Sequence, residues 1–423
     1  MNRRLLSLAA ALMIVGAACG GSGGSSDKVK LTLWHNYGTE ANATVTKALT
    51  DAYTKANPNV TFELVSQPAD NYFALLKAAA ISKTGPDLMT MWTGLFALQN
   101  QDYLEPLNSY IKVDDLKKFT GIDWCSKDLS VDKGAICVPL DIQHYNGFYN
   151  KELFTKAGVD KVPTNWDELY AACDKFKAAG ITGFAYGTGG QALNAGFYPY
   201  YDLSYMMMFM PVNDWKKLFN GTTPWTDPAI VAQLTKWADL KTRGCTNEDV
   251  LTNTESVAQF EAGKAAMTLE GSWDFSEFHD KMGDKVGTFL PPFSDKAING
   301  VVEFPGNGFG VTSYSKNKEA AAKFLGWMAT AEAQKIIADG GLIPTVAGTD
   351  PTTPLAVEML KFGANGSTRY PMIDNVMQPE VVDVATKVLN AVLAGTMTPA
   401  EATQKMADAV NALPAERRGA EYK

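Results

Sequence analysis

The alternation of apolar and polar residues near the start of the chain predicts strands and helices in turn. In "VKLTLW", Val29, Leu31 and Leu33 share one side of an extended segment, and apolar residues then recur at helical spacing from Val45 to Tyr53. The segments "NVTFELV" and "LMTMW" predict two more strands, with a helix between them. This order predicts an α/β fold in which a mixed, mostly parallel sheet is flanked by helices.

Aromatic and polar side chains collect where two of these predicted strands end. Trp34, His35 and Asn36 close the first strand, and Trp92 and Thr93 close the third. Ligands of parallel sheets bind beyond the carboxyl ends of the strands, so these five residues are candidates for one crevice. A single tryptophan at such a tip is more simply a core or rim residue, but two aromatic tips favour a binding site.

The first residues have the layout of an export signal. Arg3 and Arg4 precede a short apolar run, and small residues lead to Cys19, which resembles a bacterial lipobox. We therefore expect a signal peptide over residues 1–18, then a lipidated cysteine and flexible tether over 19–27. The exported protein would be anchored by lipid to the outer face of the bacterial cell membrane. An ordinary signal peptide followed by a chance cysteine is the alternative.

Length and charge narrow the possible functions. Roughly 400 residues follow the tether, which is enough for two lobes. The net charge of −8 argues against a surface that binds nucleic acid. The sequence contains no Walker loop and no HExxH motif, and its histidines are only His35, His144 and His279. We therefore expect neither a metal nor a cofactor.

Four cysteines remain after Cys19, an even number in a chain that we expect to be exported. Of the three possible pairings we favour Cys125 with Cys137, because the intervening sequence is typical of two extended segments around an Asp-Lys-Gly turn. Cys173 with Cys245 would then tie two helices together. Four free buried thiols are the alternative.

Motifs that cover nearly the whole mature chain, from about Lys28 to about Ala409, occur in a recognisable order. They are "LTLWHNYG", "GPDLMTMW", "VPLDIQHYNGFYNKELFTKAG" followed by "PTNWDEL", "FEAGKAAMTLEGSW", and "GFGVTSYSKNKEAAAKFLGWM" followed by "GLIPT". This ordered set resembles the extracellular solute-binding proteins of bacterial ABC importers, the large family that includes maltose-binding protein.

The resemblance implies two α/β lobes, of the periplasmic-binding-protein type, that close on a ligand at their hinge. The first lobe would comprise residues 28–140 and 306–342, and the second residues 143–303 and 345–423. Loops at the strand tips, a stacking tryptophan and the hinge would supply the ligand-binding residues. Together with residues near the places where the chain crosses between the lobes, these candidates are Trp34, His35, Asn36, Trp92, Thr93, Gln143, Tyr145, Tyr201, Trp273, Asn307 and Arg369.

The resemblance also implies the partners of the protein: a small sugar-like ligand and the permease subunits of an ABC importer, served by a monomer. Aromatic rings and amides suit the apolar faces and hydroxyl groups of a sugar, so a mono- or disaccharide is our first expectation. A polyol or a glycerol-phosphate compound is the alternative. For the latter, Arg369 could meet the anion, although a surface or interlobe salt bridge is an equally good interpretation of this residue.

Two other classes of function compete with solute binding. An exported glycoside hydrolase needs only two carboxylates, whose distance in space the sequence does not reveal. A structural or adhesive lipoprotein is the second, but it would leave a crevice lined by aromatic residues without a purpose. We expect a binding protein that performs no chemistry.

Overall fold

The structure is a computed structural model that describes residues 28–37, 41–68, 71–189, 197–364 and 366–419. The predicted signal peptide, the lipidation site Cys19 and the tether lie outside these residues. Within the described ranges, no helix combines the length and the apolar character needed to cross a membrane.

Strands and helices alternate along the described part of the chain. The strands are β1 Val29–His35, β2 Val60–Ser66, β3 Leu88–Met91, β4 Val138–Pro139, β5 Ile142–Asn150, β6 Thr182–Ala185, β7 Ala265–Gly271, β8 Val286–Phe289, β9 Gly300–Pro305, β10 Gly308–Val311 and β11 Thr368–Tyr370. The helices are α1 Ala41–Ala56, α2 Tyr72–Ser82, α3 Leu95–Gln99, α4 Val113–Leu116, α5 Val131–Gly134, α6 Lys151–Ala157, α7 Trp166–Ala178, α8 Phe197–Tyr201, α9 Leu203–Met206, α10 Trp215–Phe219, α11 Pro228–Thr242, α12 Asn253–Glu261, α13 Phe275–Met282, α14 Lys318–Trp327, α15 Ala331–Asp339, α16 Pro354–Phe362, α17 Pro379–Leu393 and α18 Pro399–Ala412.

The first sheet has the strand order β2-β1-β3-β10-β4. Strand β1 pairs in parallel with β2 and β3, as the β-α-β-α-β pattern predicts, and β10 joins antiparallel to β3. Leu31 and Leu33 are buried at alternate positions of β1, whereas all four residues of β3 are buried because that strand lies inside the sheet. The apolar residues around this sheet, including Leu49, Leu88 and Phe309, form the first core.

The second sheet has the order β11-β9-β5-β7-β6, with β8 also paired to β5. One face packs on the second core, which includes Trp166, Trp237 and Tyr145. A smaller apolar cluster that includes Phe148 and Phe278 also packs on β5. Each lobe is therefore a sheet flanked by helices with a core of its own, which confirms the predicted fold class.

The chain passes between the two sheets at short connections. It leaves the first sheet at Pro139 and enters the second at Ile142, and it returns between Pro305 and Gly308. The third passage follows α15, since Leu342 packs in the first core and Ile343 in the smaller cluster of the second lobe. The lobe boundaries given above stay a prediction, and we propose them for this chain on the basis of these crossings.

The structure contains both favoured disulfides, with Cα atoms 5.0 Å apart for Cys125–Cys137 and 5.2 Å apart for Cys173–Cys245. The local geometry around them differs from our expectation. Helical turns fill the segment between Cys125 and Cys137, and a single bridge from Ser126 to Ala135 replaces the expected hairpin. The second disulfide joins α7 to the segment after α11, where the carbonyl oxygen of Cys245 accepts a hydrogen bond from Phe184 in β6, so it does not tie two helices together.

Removing these disulfides should destabilise the protein to different extents. The bonds close loops of 12 and 72 residues, and a longer loop loses more conformational entropy in the unfolded chain. Replacing Cys173 and Cys245 by Ser should therefore lower the free energy of unfolding by about 4 kcal/mol, and replacing Cys125 and Cys137 by Ser by about 3 kcal/mol. Urea denaturation of both double variants measures the two losses, and a larger loss for the short loop would contradict the entropic account.

Candidate ligand-binding site

A cavity of about 120 Å³ lies beside the crossings between the two sheets. It is much larger than the roughly 10–15 Å³ that one water needs. We call it the cleft. Its lining combines aromatic rings with amides and one carboxyl group, and consists of Asn36, Tyr37, Trp92, Thr93, Gln143, Tyr201, Trp273, Phe304, Pro305, Gly306, Asn307, Met372, Asp374 and Asn375.

The wall from the first lobe consists of the tips of β1 and β3. Asn36 follows β1 directly, and its Oδ1 accepts a hydrogen bond of 3.1 Å from Oγ1 of Thr90 in β3. Trp92 follows β3, and its ring packs edge-on against Phe73 and Phe96, with ring centroids 4.9 and 4.7 Å away. These contacts fix an amide and an indole ring at one end of the sheet, where the strand pattern predicts them.

The wall from the second lobe presents two further aromatic side chains. Trp273 lies in the short turn after β7, and its ring lies so close to Gly271 that a Cβ there would come within 2.1 Å of a ring atom. Gly271 therefore makes the position of this indole possible. Tyr201 ends α8 and packs edge-on against Tyr145, with ring centroids 5.4 Å apart.

The floor of the cleft consists of the first two crossings. Gln143 at the start of β5 is 4% exposed, and its Nε2 donates to Oδ2 of Asp141 at 3.3 Å. The N–H of Gly306 donates to the carbonyl oxygen of Asp141 at 2.7 Å. A Cβ on Gly306 would lie 2.2 Å from Oδ1 of Asp141, so only glycine allows the two crossings to pack this closely.

The two walls touch each other at one edge of the cleft. Thr93 of the first lobe donates from Oγ1 to the carbonyl oxygen of Pro305 at 2.7 Å. The next residue, Gly94, has φ +69°, and a Cβ there would lie 2.5 Å from the backbone oxygen of Asn375. Trp92 also packs against the second core. The loop after β3 is thus one part of the first lobe that contacts the second.

Asp374 is the carboxyl group in the lining of the cleft. It lies in the short turn Ile373–Asn375 and is only 5% exposed. Burial raises the pKa of Asp374 to about 7, although hydrogen bonds from the backbone N–H groups of Asp374 and Asn375 oppose this shift. The cleft therefore holds a desolvated acceptor of hydrogen bonds beside its aromatic rings.

Seven of the candidate residues line the cleft together: Asn36, Trp92, Thr93, Gln143, Tyr201, Trp273 and Asn307. They come from strand tips, from the end of α8 and from the crossings, and both lobes contribute to them. Their roles in binding stay a prediction.

Four candidates lie outside the lining. Trp34 is still inside β1, paired with Val65 and Met89, and packs beside the first core instead of at the strand tip. His35, the last residue of β1, is 6% exposed and stacks on Tyr37. Burial lowers the pKa of this histidine, which keeps it neutral near pH 7.

Tyr145 and Arg369 are the other two candidates that lie outside the lining. Tyr145 is fully buried within β5 and donates its hydroxyl proton to Oδ1 of Asp202 at 2.8 Å. Arg369 on β11 pairs with Glu303 on the neighbouring strand, with Nε 2.6 Å from Oε1. The salt-bridge interpretation of Arg369 is therefore the one that the structure shows, within the second lobe.

Sequence reasoning missed seven lining residues: Tyr37, Phe304, Pro305, Gly306, Met372, Asp374 and Asn375. Phe304 and Pro305 lie between the lobe boundaries that the resemblance implies, at residues 303 and 306, and Gly306 follows them directly. The turn that contains Asp374 has no strand or helix pattern, and its only signal is an Asp-Asn pair between Pro371 and Pro379. The packing of this turn against the first lobe depends on contacts distant in sequence.

Comparisons with known proteins agree with this geometry. The model of the family "Bacterial extracellular solute-binding protein" matches residues 36–335. Binding proteins from Brucella abortus are 25% identical over an alignment of 288 positions. This alignment covers 66% of this chain and 66% of the relatives, so the chain matches about two thirds of their length. An uncharacterized ABC transporter extracellular-binding protein of Pyrococcus horikoshii is 23% identical over an alignment of 438 positions, which covers 96% of this chain and 95% of that one. Among solved structures, a chitin oligosaccharide binding protein is 25% identical with a TM-score of 0.79, over 91% of this chain and 99% of that chain.

Proposed function

The chain belongs to the bacterial extracellular solute-binding proteins of ABC importers, and we propose that it captures a mono- or disaccharide between its lobes and delivers it to the membrane permease. The observation that carries this proposal is a cleft lined from both lobes by aromatic rings and amides. The similarity to a chitin oligosaccharide binding protein supports a carbohydrate as the ligand.

The chemistry of the cleft suits a sugar. Each face of a sugar ring exposes C–H groups that can stack on an indole, and Trp92 and Trp273 offer one indole from each lobe. The hydroxyl groups need both donors and acceptors, which Asn36, Gln143 and Asn307 supply through their amides. A cavity of about 120 Å³ favours a small carbohydrate over a long chain.

Ligand binding would close the two lobes. A ligand that touches only one lobe binds the open and closed forms equally and shifts nothing. A sugar between Trp92 and Trp273 gains its second set of contacts only in the closed form. It therefore stabilises the closed form by the difference between its binding free energies for the two forms. The closed, loaded protein is then the form that the permease recognises, and it performs no chemistry on its cargo.

The function can be tested with a thermal-shift screen over sugars and polyols. A ligand that binds the folded protein and not the unfolded chain must raise the melting temperature. We expect one or a few small sugars to do so. The same sugars offered as nitrophenyl glycosides should not be hydrolysed, whereas turnover would favour a glycoside hydrolase. A shift with polyols alone would favour the alternative ligand class.

We also propose that a lipid on Cys19 holds the protein at the outer face of the membrane. The charged start, the apolar run and the small residues before Cys19 support this proposal. The variant Cys19→Ala should lose incorporation of a labelled fatty acid in the native host and should no longer be retained by membranes. Labelling that persists in this variant would contradict the proposal.

A further inference from the structure

One oxygen of the Asp374 carboxyl group, Oδ1, lacks the hydrogen-bond donor that its burial calls for. The side chain is 5% exposed and lines the cleft, and its Oδ1 has no hydrogen-bond partner among the described residues. A buried acceptor without a donor is costly, and a hydroxyl or ammonium group of a ligand could supply that donor. Oδ1 of Asp374 is thus a buried acceptor for which the described part of the chain supplies no donor.

Among the described residues, the lining of the cleft around Asp374 carries no positive charge that could balance a second anion. The described residues that line the cleft include no lysine, arginine or histidine. Burial and the charge of Asp374 raise the pKa of Tyr200 and Tyr201, so these neighbouring phenols stay neutral. Arg369 is paired with Glu303, outside the lining. Above about pH 7, where Asp374 is mostly ionised, an anionic ligand in the cleft would therefore face an uncompensated carboxylate.

We propose that Asp374 determines the specificity of the cleft: its carboxylate accepts hydrogen bonds from hydroxyl or ammonium groups of the ligand and excludes ligands that carry a carboxylate or a phosphate. The proposal rests on the proposed function, because it states which carbohydrates the cleft admits. It excludes the glycerol-phosphate class and admits neutral sugars and amino sugars.

Without a ligand, the buried carboxylate of Asp374 lowers the stability of the folded protein. Burial raises the pKa of this carboxyl group to about 7, above its value in an unfolded chain, near 4. Between these two values the folded protein binds the proton more tightly than the unfolded chain does, so the contribution of Asp374 to stability falls as the pH rises through this range. An asparagine at position 374 does not ionise, so its contribution to stability does not fall as the pH rises.

The first experiment needs no ligand. The melting temperatures of wild type and Asp374→Asn are compared near pH 5 and near pH 8, with Asp160→Asn, at an exposed position, as the control for loss of a charge. We expect Asp374→Asn to gain stability relative to wild type as the pH rises, and Asp160→Asn to show no such trend. A difference that is constant with pH, or that reverses, would overturn the proposal, because the carboxylate would then be satisfied by the protein itself.

The second experiment uses matched probes. Three sets of probes are titrated calorimetrically into wild type and Asp374→Asn. The first set is glucose, glucosamine, glucuronate and glucose 6-phosphate, and the second is galactose with its amino, uronate and 6-phosphate forms. The third set is the disaccharides cellobiose and lactose. In wild type we expect neutral and amino sugars to bind at least tenfold more tightly than their anionic partners. Asp374→Asn should weaken binding of the neutral sugar by roughly 10- to 100-fold, which corresponds to the loss of a hydrogen bond to a charged group. The ratio of the affinities for a neutral sugar and for its anionic derivative should become smaller.

The two experiments separate this proposal from the proposed function. Anionic probes that bind wild type as tightly as neutral ones, or a ratio that Asp374→Asn leaves unchanged, would overturn the role of Asp374 while solute binding stands. If none of the probes binds and the wider screen also finds no carbohydrate, the proposed function fails. The pH experiment then still decides whether the carboxylate lacks a protein partner.

Discussion

Replacing both tryptophans of the cleft, Trp92→Ala together with Trp273→Ala, should weaken sugar binding by on the order of 2–6 kcal/mol, or about 30-fold to 10⁴-fold in dissociation constant. Each indole would contribute about 1–3 kcal/mol if it stacks on a sugar face in a desolvated site. Since the two rings come from different lobes, their loss also removes the contacts that make the closed form the better binder.

The single variants and the fold provide the controls for this expectation. Trp273→Ala and Trp92→Ala should each weaken binding by about 1–3 kcal/mol. Trp273 is partly exposed, so its removal should change stability little. Calorimetric titration with the sugar found by screening measures the affinities, and urea denaturation checks the folds. Unaltered affinity in Trp273→Ala would mean that the ligand sits elsewhere in the cleft.

Trp166→Ala should have the opposite effect, a loss of about 3–5 kcal/mol in the free energy of unfolding with the affinity of the folded protein unchanged. Trp166 is 1% exposed at the start of α7, and its ring stacks on Phe293 with centroids 4.9 Å apart. Its Nε1 donates to Oε1 of Gln233 at 2.8 Å, so alanine leaves both a large void and a buried acceptor without a donor.

A milder substitution separates the two parts of this effect. Trp166→Phe keeps an aromatic ring in the second core and removes the hydrogen bond to Gln233, so we expect it to be clearly less destabilising than Trp166→Ala. Urea denaturation of both variants measures the losses. A reduced affinity in either folded variant would contradict the assignment of Trp166 to the core and would extend the binding site to α7.

Local patterns of the sequence predict those parts of the fold that depend on neighbouring residues. The alternation in β1 and the fully apolar β3 place Asn36 and Trp92 at adjacent strand tips, because parallel strands end at the same edge of a sheet. The same reasoning fails at the level of single side chains. Trp34 and His35 lie only one or two residues before Asn36, yet the strand continues through them and neither side chain belongs to the lining of the cleft.

The parts that sequence reasoning missed depend on contacts between distant segments. Asp374 lies in a turn without periodicity, and it reaches the cleft because the neighbouring Asn375 packs against Gly94, 281 positions earlier in the chain. The local sequence also fails to predict the structure of the segment from Cys125 to Cys137. Its turn residues suggest a hairpin, but Cys125, Val131 and Ile136 are buried in the first core and helical turns fill the segment, so its tertiary contacts override the local preference.

Small-angle X-ray scattering of the mature protein, with and without the sugar identified by screening, tests the central claim that a ligand closes the two lobes. We predict that a saturating concentration of this sugar reduces the radius of gyration of wild type. The variant with both Trp92→Ala and Trp273→Ala should show no contraction at the same sugar concentration. Scattering profiles of wild type that superimpose at saturation, in a sample where calorimetry shows full occupancy, would contradict capture by lobe closure.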